Sequence, residues 1–234
     1  MLRMRKTLLI TNNYTGKPRS IIEEIIENKF DPLFLEENTK ECLLDSVDRA
    51  SYMLASGRLR IDAEVLERAS CLKMIQRTGT GVDSLDIDEM RRRHIPLYVN
   101  SGINAQSVAE YTLLLILASL RRITTLDKNI RNGIWRKQEQ GVETRELSGK
   151  TVGLIGFGNI GKKLAELLVP FKTDTLYYCR SGKKGDRDEK LSARYSELYE
   201  LLRRSDVISI HCPYTDDTRK MIGEKEIGMM KTGA

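Results

Sequence analysis

The chain has 234 residues, 40% of them hydrophobic and 31% charged, with a formal net charge of +6. That composition excludes a disordered or collagen-like chain and supplies apolar side chains for one large core or two modest ones. The basic residues are scattered over Arg3-Arg5-Lys6, Arg91-Arg92-Arg93, Arg121-Arg122 and residues 180–190, mostly interrupted by acids and without a nucleic-acid motif, so no nucleic-acid partner is expected.

In chain order, Thr7-Leu8-Leu9-Ile10 predicts a buried strand, and Ser20 the cap of a helix with Ile21, Ile22, Ile25 and Ile26 on one face. Residues 52–55 predict a second strand, Asp62 the cap of a helix over 63–69, and residues 72–76 a third strand. A short helix near 85–93 and a strand at 96–99 complete this region, with a domain boundary at 99–104. Strands alternating with helices argue for a parallel sheet with crossover connections. The helix predicted over 105–122 is apolar on nearly all faces between Tyr111 and Leu120, the pattern of a helix buried between domains or subunits. Gly133 and Trp135 fall in an irregular stretch. A second alternating unit begins at Gly149: a strand at 151–155, a helix over 160–169, a strand at 175–178, a polar loop at 182–185, a helix over 197–203 capped by Ser196, and a strand at 207–210. Thr218 is expected to cap the next helix.

Cys42, Cys71, Cys179 and Cys212 show neither C-x-x-C pairing nor zinc-like spacing, which suits free thiols in a reducing compartment and no metal site. The apolar run at 7–10 is too short for a signal peptide, and the run at 111–120 is about half a membrane span. A cytoplasmic protein without a membrane partner is expected.

Between the strand at 151–155 and the helix that follows lies Gly156-Phe157-Gly158-Asn159-Ile160-Gly161. A G-x-G-x-x-G alone is weak, but on a strand–turn–helix it is the dinucleotide fingerprint. Gly156 would make the tight turn, Gly158 admit a pyrophosphate to the backbone, and Gly161 pack helix on strand. The helix N-terminus then favours the phosphates. Such sites carry an acid about 20 residues on, for the ribose 2′-hydroxyl. Here that region holds Cys179, Arg180 and Ser181. Arginine with a neighbouring hydroxyl suits a 2′-phosphate, so the cofactor is NADP or NAD, leaning to NADP.

Further stretches extend the pattern: Arg77-Thr78-Gly79-Thr80-Gly81-Val82-Asp83-Ser84-Leu85-Asp86, Val99-Asn100-Ser101-Gly102-Ile103-Asn104-Ala105, Val108-Ala109-Glu110, Leu147-Ser148-Gly149-Lys150-Thr151-Val152-Gly153, Ser205-Asp206-Val207-Ile208-Ser209-Ile210-His211-Cys212-Pro213, and Met230-Lys231-Thr232-Gly233-Ala234. Jointly, and in this order, they make the chain similar to the D-isomer-specific 2-hydroxyacid dehydrogenases, a family that includes phosphoglycerate dehydrogenase and glyoxylate/hydroxypyruvate reductase. The resemblance covers most of the chain from residue 50.

The resemblance implies an α/β fold of two Rossmann-like, doubly wound parallel-sheet domains, both incomplete on the C-terminal side. Residues 1–100 would belong to the substrate domain and 101–234 to the NAD(P)-binding domain. The implied reaction is hydride transfer between NAD(P)H and a 2-oxo or 2-hydroxy acid. Thr80 and Gly81 resemble the loop whose amides hold the substrate carboxylate, Thr80 lying also beside the nicotinamide. Asn104 resembles the interdomain hinge position that lines the substrate cleft. Asn159 and Ile160 resemble positions that touch the pyrophosphate, and Cys212 and Pro213 the pair beside the adenosine half. The helix at 105–122 resembles the one that packs homodimers.

The family's reacting arginine, histidine and carboxylate lie downstream of the stretch that here ends at Ala234. No catalytic residue is therefore assigned. His94 is expected to be a solvated loop residue, and His211 a packing or cofactor-adjacent one. Arg58, in Ser56-Gly57-Arg58, is expected to be a surface residue, with a second anionic group of the substrate as its alternative. As it stands the chain is expected to be inactive and, with an open sheet edge, marginally stable. The alternatives are a non-catalytic dinucleotide-binding or dimerisation protein and a decayed gene product.

Overall fold

The structure, a computed structural model, describes residues 5–180 and 187–234. They form two compact units, one ending at Ser101 and the other beginning at Gly102.

The first unit runs β1 (Lys6–Ile10), α1 (Gly16–Ile26), β2 (Phe30–Phe34), α2 (Lys40–Leu44), a 3-10 turn at Val47–Arg49, β3 (Tyr52–Ala55), α3 (Ala63–Arg68), β4 (Ile75–Arg77), α4 (Ile87–Arg92) and β5 (Leu97–Tyr98). Its strands lie in the order β2-β1-β3-β4-β5, all parallel, which is a doubly wound order with its switch point between β1 and β3. Leu9, Met53 and Ile75 from the strands and Val65 and Leu66 from α3 are fully buried in one cluster. Asp62 caps α3 as predicted, accepting from the Val65 amide at 3.3 Å.

Ser20 is not a cap. Thr15, with extended backbone, precedes α1, and the Ser20 hydroxyl inside the helix donates to the Lys17 carbonyl at 2.9 Å. β2 was not predicted because Asp31 and Pro32 break its apolar pattern. Proline is tolerated there because β2 is an edge strand. The Leu35 amide donates to the Ile10 carbonyl, so by alternation Pro32 turns its nitrogen to the free edge.

The second unit runs α5 (Ala105–Leu120), α6 (Ile123–Arg131), α7 (Lys137–Glu143), β6 (Thr151–Ile155), α8 (Asn159–Leu168), a 3-10 turn at Val169–Phe171, β7 (Asp174–Tyr178), β8 (Arg187–Asp188), a 3-10 turn at Glu189–Leu191, β9 (Ala193–Tyr195), α9 (Leu198–Arg204), β10 (Val207–Ile210) and α10 (Glu224–Gly228). The order is β10-β6-β7-β9-β8, parallel except where β8 meets β9. α5 packs on α8, with Ala109 and Ile116 joining Leu164, Ala165 and Leu168 in the core. The helix predicted to 122 ends at Leu120, because Arg122 takes a left-handed φ of 51° and turns the chain into α6.

Two further expected caps fail. Glu197 stands at the start of α9, and the neighbouring Ser196 hydroxyl donates to the Glu197 carbonyl. Gly223 precedes α10, while Thr218 braces a turn well before it. The expected polar loop at 182–185 lies outside the described residues. Asp206 ties the family-like stretches together: its carboxylate accepts from the Thr151 amide and from Lys231, both at 2.8 Å. Lys231 and that amide hold its pKa below the ordinary aspartate value against the effect of burial. Among the described residues, no helix is long and apolar enough to cross a membrane.

Candidate dinucleotide and anion sites

β6 runs mid-sheet between β10 and β7 and is buried from Val152 to Ile155. It delivers the chain into the glycine loop, where two of the three glycines have a steric reason within the protein and the third has none. Gly156 has φ +101°, a conformation that L side chains rarely adopt. A Cβ on it would lie 2.6 Å from the Cys212 amide nitrogen and 2.7 Å from the His211 carbonyl carbon. A Cβ on Gly161 would collide with the Gly156 carbonyl oxygen. A Cβ on Gly158 would meet nothing within 4 Å. Gly158 is the N-cap of α8, whose first-turn amides have no helical acceptor. The Gly156 amide donates to the Tyr178 carbonyl at 2.8 Å and fixes the loop to the end of β7.

A pocket of ≈ 590 Å³ opens over this loop. Gly156, Phe157, Gly158 and Lys162 form one wall, and Tyr177, Tyr178, Cys179 and Arg180 a second. His211, Cys212 and Pro213 form the third, continued by Thr215, Asp217, Thr218 and Met221. The rings of Phe157 and Tyr177 stack at 3.9 Å and join the first two walls. Of the residues that sequence placed here, Gly156, Gly158, Cys179, Arg180, Cys212 and Pro213 line the pocket. Asn159, Ile160 and Gly161 continue the same loop into α8. Ser181 lies outside the described residues.

His211 is pushed below the ordinary histidine pKa by burial, and its Nε2 lies 2.9 Å from the Ser209 hydroxyl. It is neutral near pH 7 and adds no charge to the pocket. His94 is exposed, with φ 55°, just beyond the end of α4.

In the first unit the C-terminal ends of the strands are pinned to one another. The Ser56 amide donates to the Thr11 hydroxyl at 2.9 Å, and the Ser56 hydroxyl to the Thr11 carbonyl at 3.0 Å. Arg77, 4% exposed, donates from Nε to the Gly81 carbonyl at 2.8 Å and from Nη1 to the Ser56 carbonyl. It holds the Thr78–Gly81 turn against the loop after β3. Thr80 and Gly81 are exposed on that turn, at the carboxyl ends of the strands where ligands of doubly wound sheets bind. Asn104 is exposed in the second unit as the N-cap of α5, two residues after Gly102 (φ +79°). Arg58 is exposed.

A family model for the NAD-binding domain of the D-isomer specific 2-hydroxyacid dehydrogenases matches residues 113–234. Glyoxylate reductase of Thermococcus litoralis is 34% identical over 238 residues, covering 99% of this chain and 71% of that enzyme. The chain belongs to the D-isomer specific 2-hydroxyacid dehydrogenase family. Within this dehydrogenase family, hydroxypyruvate reductase of Thermotoga maritima is 32% identical over 198 residues, 85% of this chain and 63% of its own length. D-lactate dehydrogenase of Aquifex aeolicus, solved with NAD and lactic acid, superposes with a TM-score of 0.80 at 25% identity, over 96% of this chain and 66% of that one. The chain thus spans roughly two thirds of the length of these dehydrogenases, from 63 to 71%.

Three charged residues of the two sites escaped sequence reasoning. Arg77 opens the stretch that runs to Asp86, and its burial follows from its place at the end of an interior strand. Lys162 follows Gly161 directly and could have been taken from the first turn of the helix. Asp217 had no local signal, because only the return of the chain after β10 brings it to the pocket.

Proposed function

We propose that this chain binds a nicotinamide dinucleotide at the glycine loop and serves oxidoreduction between a small 2-oxo acid and its D-2-hydroxy acid, as a cytosolic homodimer. The observation that carries the reading is Gly158. Gly156 and Gly161 are explained by packing within the unit, but Gly158 borders open space at the start of α8, where a Cβ would touch no protein atom. A glycine without an internal steric reason, beside helix-end amides, fits a pyrophosphate that needs the backbone itself.

In this reading Gly156, Gly158, Asn159, Ile160 and Gly161 hold the pyrophosphate, with Lys162 adding positive charge. Cys179, Arg180, Ser181, Cys212 and Pro213 surround the adenosine half, and Arg180 favours the 2′-phosphate of NADP. The nicotinamide, when bound, supplies or accepts the hydride. Thr80 and Gly81 present amides to the substrate carboxylate, with Thr80 also beside the nicotinamide, and the buried Arg77 keeps that turn in shape. Asn104 contributes to substrate binding. The acid–base step is assigned to neither histidine: His94 is solvated, and His211 is bonded to Ser209 among the residues around the adenosine half. The relatives' names, glyoxylate reductase and hydroxypyruvate reductase, point to short 2-oxo acids. The dimer reading rests on α5, whose Tyr111, Leu114 and Leu115 remain 51–61% exposed.

Titration of NADH and NADPH by nicotinamide fluorescence tests the core of this reading. Wild-type protein is expected to bind saturably. Gly158→Val is expected to melt within about 2 °C of wild type, since its side chain enters open space, yet to bind at least about tenfold more weakly, roughly 1.4 kcal/mol. Equal binding by the two proteins would sink the assignment. Loss of absorbance at 340 nm on adding glyoxylate or hydroxypyruvate extends it to turnover.

A further inference from the structure

The position that carries an acid in many dinucleotide sites, the end of the second strand, holds Cys179 and Arg180. An acid reaches the same pocket from elsewhere. Asp217 lies in the return after β10, and Arg180 Nη1 lies 3.3 Å from its Oδ2. Both residues line the pocket. The ion pair therefore bridges two of its walls, from the end of β7 to the turn beyond β10.

Asp217 is not on a loose loop. The Thr218 hydroxyl accepts from the Thr215 amide at 2.8 Å and donates to the Pro213 carbonyl at 2.7 Å. The Arg219 amide closes the turn on the Thr215 carbonyl at 2.8 Å. These bonds hold the backbone on both sides of Asp217, within reach of Arg180. Among the described residues, the charged groups that line this part of the pocket are Arg180, Lys162 and Asp217, and burial disfavours charge on His211.

We propose that Asp217 is the residue that sets the choice between NADP and NAD, by competing with the ribose 2′-phosphate for Arg180. This rests on the dinucleotide reading above. A 2′-phosphate must displace Asp217 from the guanidinium or share it, and it meets the repulsion of the carboxylate while doing so. A 2′-hydroxyl carries no charge and meets neither obstacle. Arginine alone would commit the site to NADP; arginine neutralised by a braced aspartate accepts both dinucleotides. The partners are 81% and 74% exposed, so the pair is of the weak, salt-screened kind, and its effect is a tuning of preference.

The test is a set of dissociation constants for NADP and NAD, measured by calorimetry on the full chain at low and high salt. Asp217→Asn is expected to raise the NADP-over-NAD preference about two- to fivefold at low salt, the range of an exposed ion pair. The gain should shrink as salt is raised. Arg180→Gln is expected to lower the preference, and in that background Asp217→Asn should lose most of its effect, because the two act as one unit. An unchanged or reduced preference in Asp217→Asn, or the same gain with and without Arg180, would overturn the proposal while NAD binding continued to support the dinucleotide reading. Failure of wild-type protein to bind NAD and NADP alike would overturn that reading, and this inference with it.

Discussion

At the scale of single residues, the glycine loop separates two kinds of constraint that look identical in the sequence. Gly161 is held by the protein: its Cβ would press on the Gly156 carbonyl, so Gly161→Ala must move α8 or the loop. Such overpacking costs about 1–3 kcal/mol. The expected result is a lower urea midpoint together with lost dinucleotide binding, in contrast to Gly158→Val, where only binding changes. Asp206 gives a residue-level pH dependence. Its pKa is lowered on folding, so its contribution is complete well above the ordinary aspartate value of 3.8 and is lost as pH falls through the lower folded value. Asp206→Asn should cost about 1.5–3 kcal/mol at pH 7, the worth of a hydrogen bond to a charged group, and the gap should narrow at a pH well below 3.8. Chemical denaturation at both pH values checks this; a gap that persists in acid would assign the loss to packing. The glycines and the Cys179-Arg180 pair were legible in the sequence because their chemistry is local. Asp217 and the bracing role of Arg77 were not, since both depend on segments distant in the chain.

At the scale of elements, β3, β6 and β10 stand where the apolar runs put them; β3 and β6 lie inside their sheets, where parallel strands are apolar on both faces, and β10 keeps an apolar run although it stands at the end of the strand order. The misses follow equally physical lines. β2 contains proline and aspartate, and β8 has only two residues, too few to show any period. Ser20, Ser196 and Thr218 have the residue type of a cap but not its place. A cap needs extended backbone before the first turn, and Thr15, Glu197 and Gly223 have it. The sequence makes α5 apolar on nearly all faces between Tyr111 and Leu120, and its two faces have different fates. Ala109 and Ile116 pack on α8, whereas Tyr111, Leu114 and Leu115 are open. A double substitution Leu114→Glu, Leu115→Glu is expected to convert a dimer to monomers without lowering the melting of the monomer core. Size exclusion with light scattering reads this directly, and an unchanged mass would remove α5 from the interface.

At the scale of the whole molecule, the alternation of strands and helices was enough to foresee parallel sheets, while the order of the strands needed the structure. Each unit has cores of its own: Leu9, Met53 and Ile75 in the first, Leu154, Leu164 and Leu202 in the second. Separate cores predict that a dinucleotide stabilises one unit selectively. At about 100 times its dissociation constant it adds roughly 2.7 kcal/mol. Scanning calorimetry should show one transition moving up while another stays, and a single transition moving as a whole would contradict that independence. The proline of β2 bears on a different matter, the behaviour of the protein when concentrated. Phe30 and Phe34 flank the middle of this outer strand, where Pro32 removes a donor from the outward row. An extended segment of another molecule finds a gap where it needs a partner, and strand-on-strand growth into filaments stops at its first step. That margin is thus blunted by a missing hydrogen atom beside the charge of Asp31, and of the two only the charge weakens in brine.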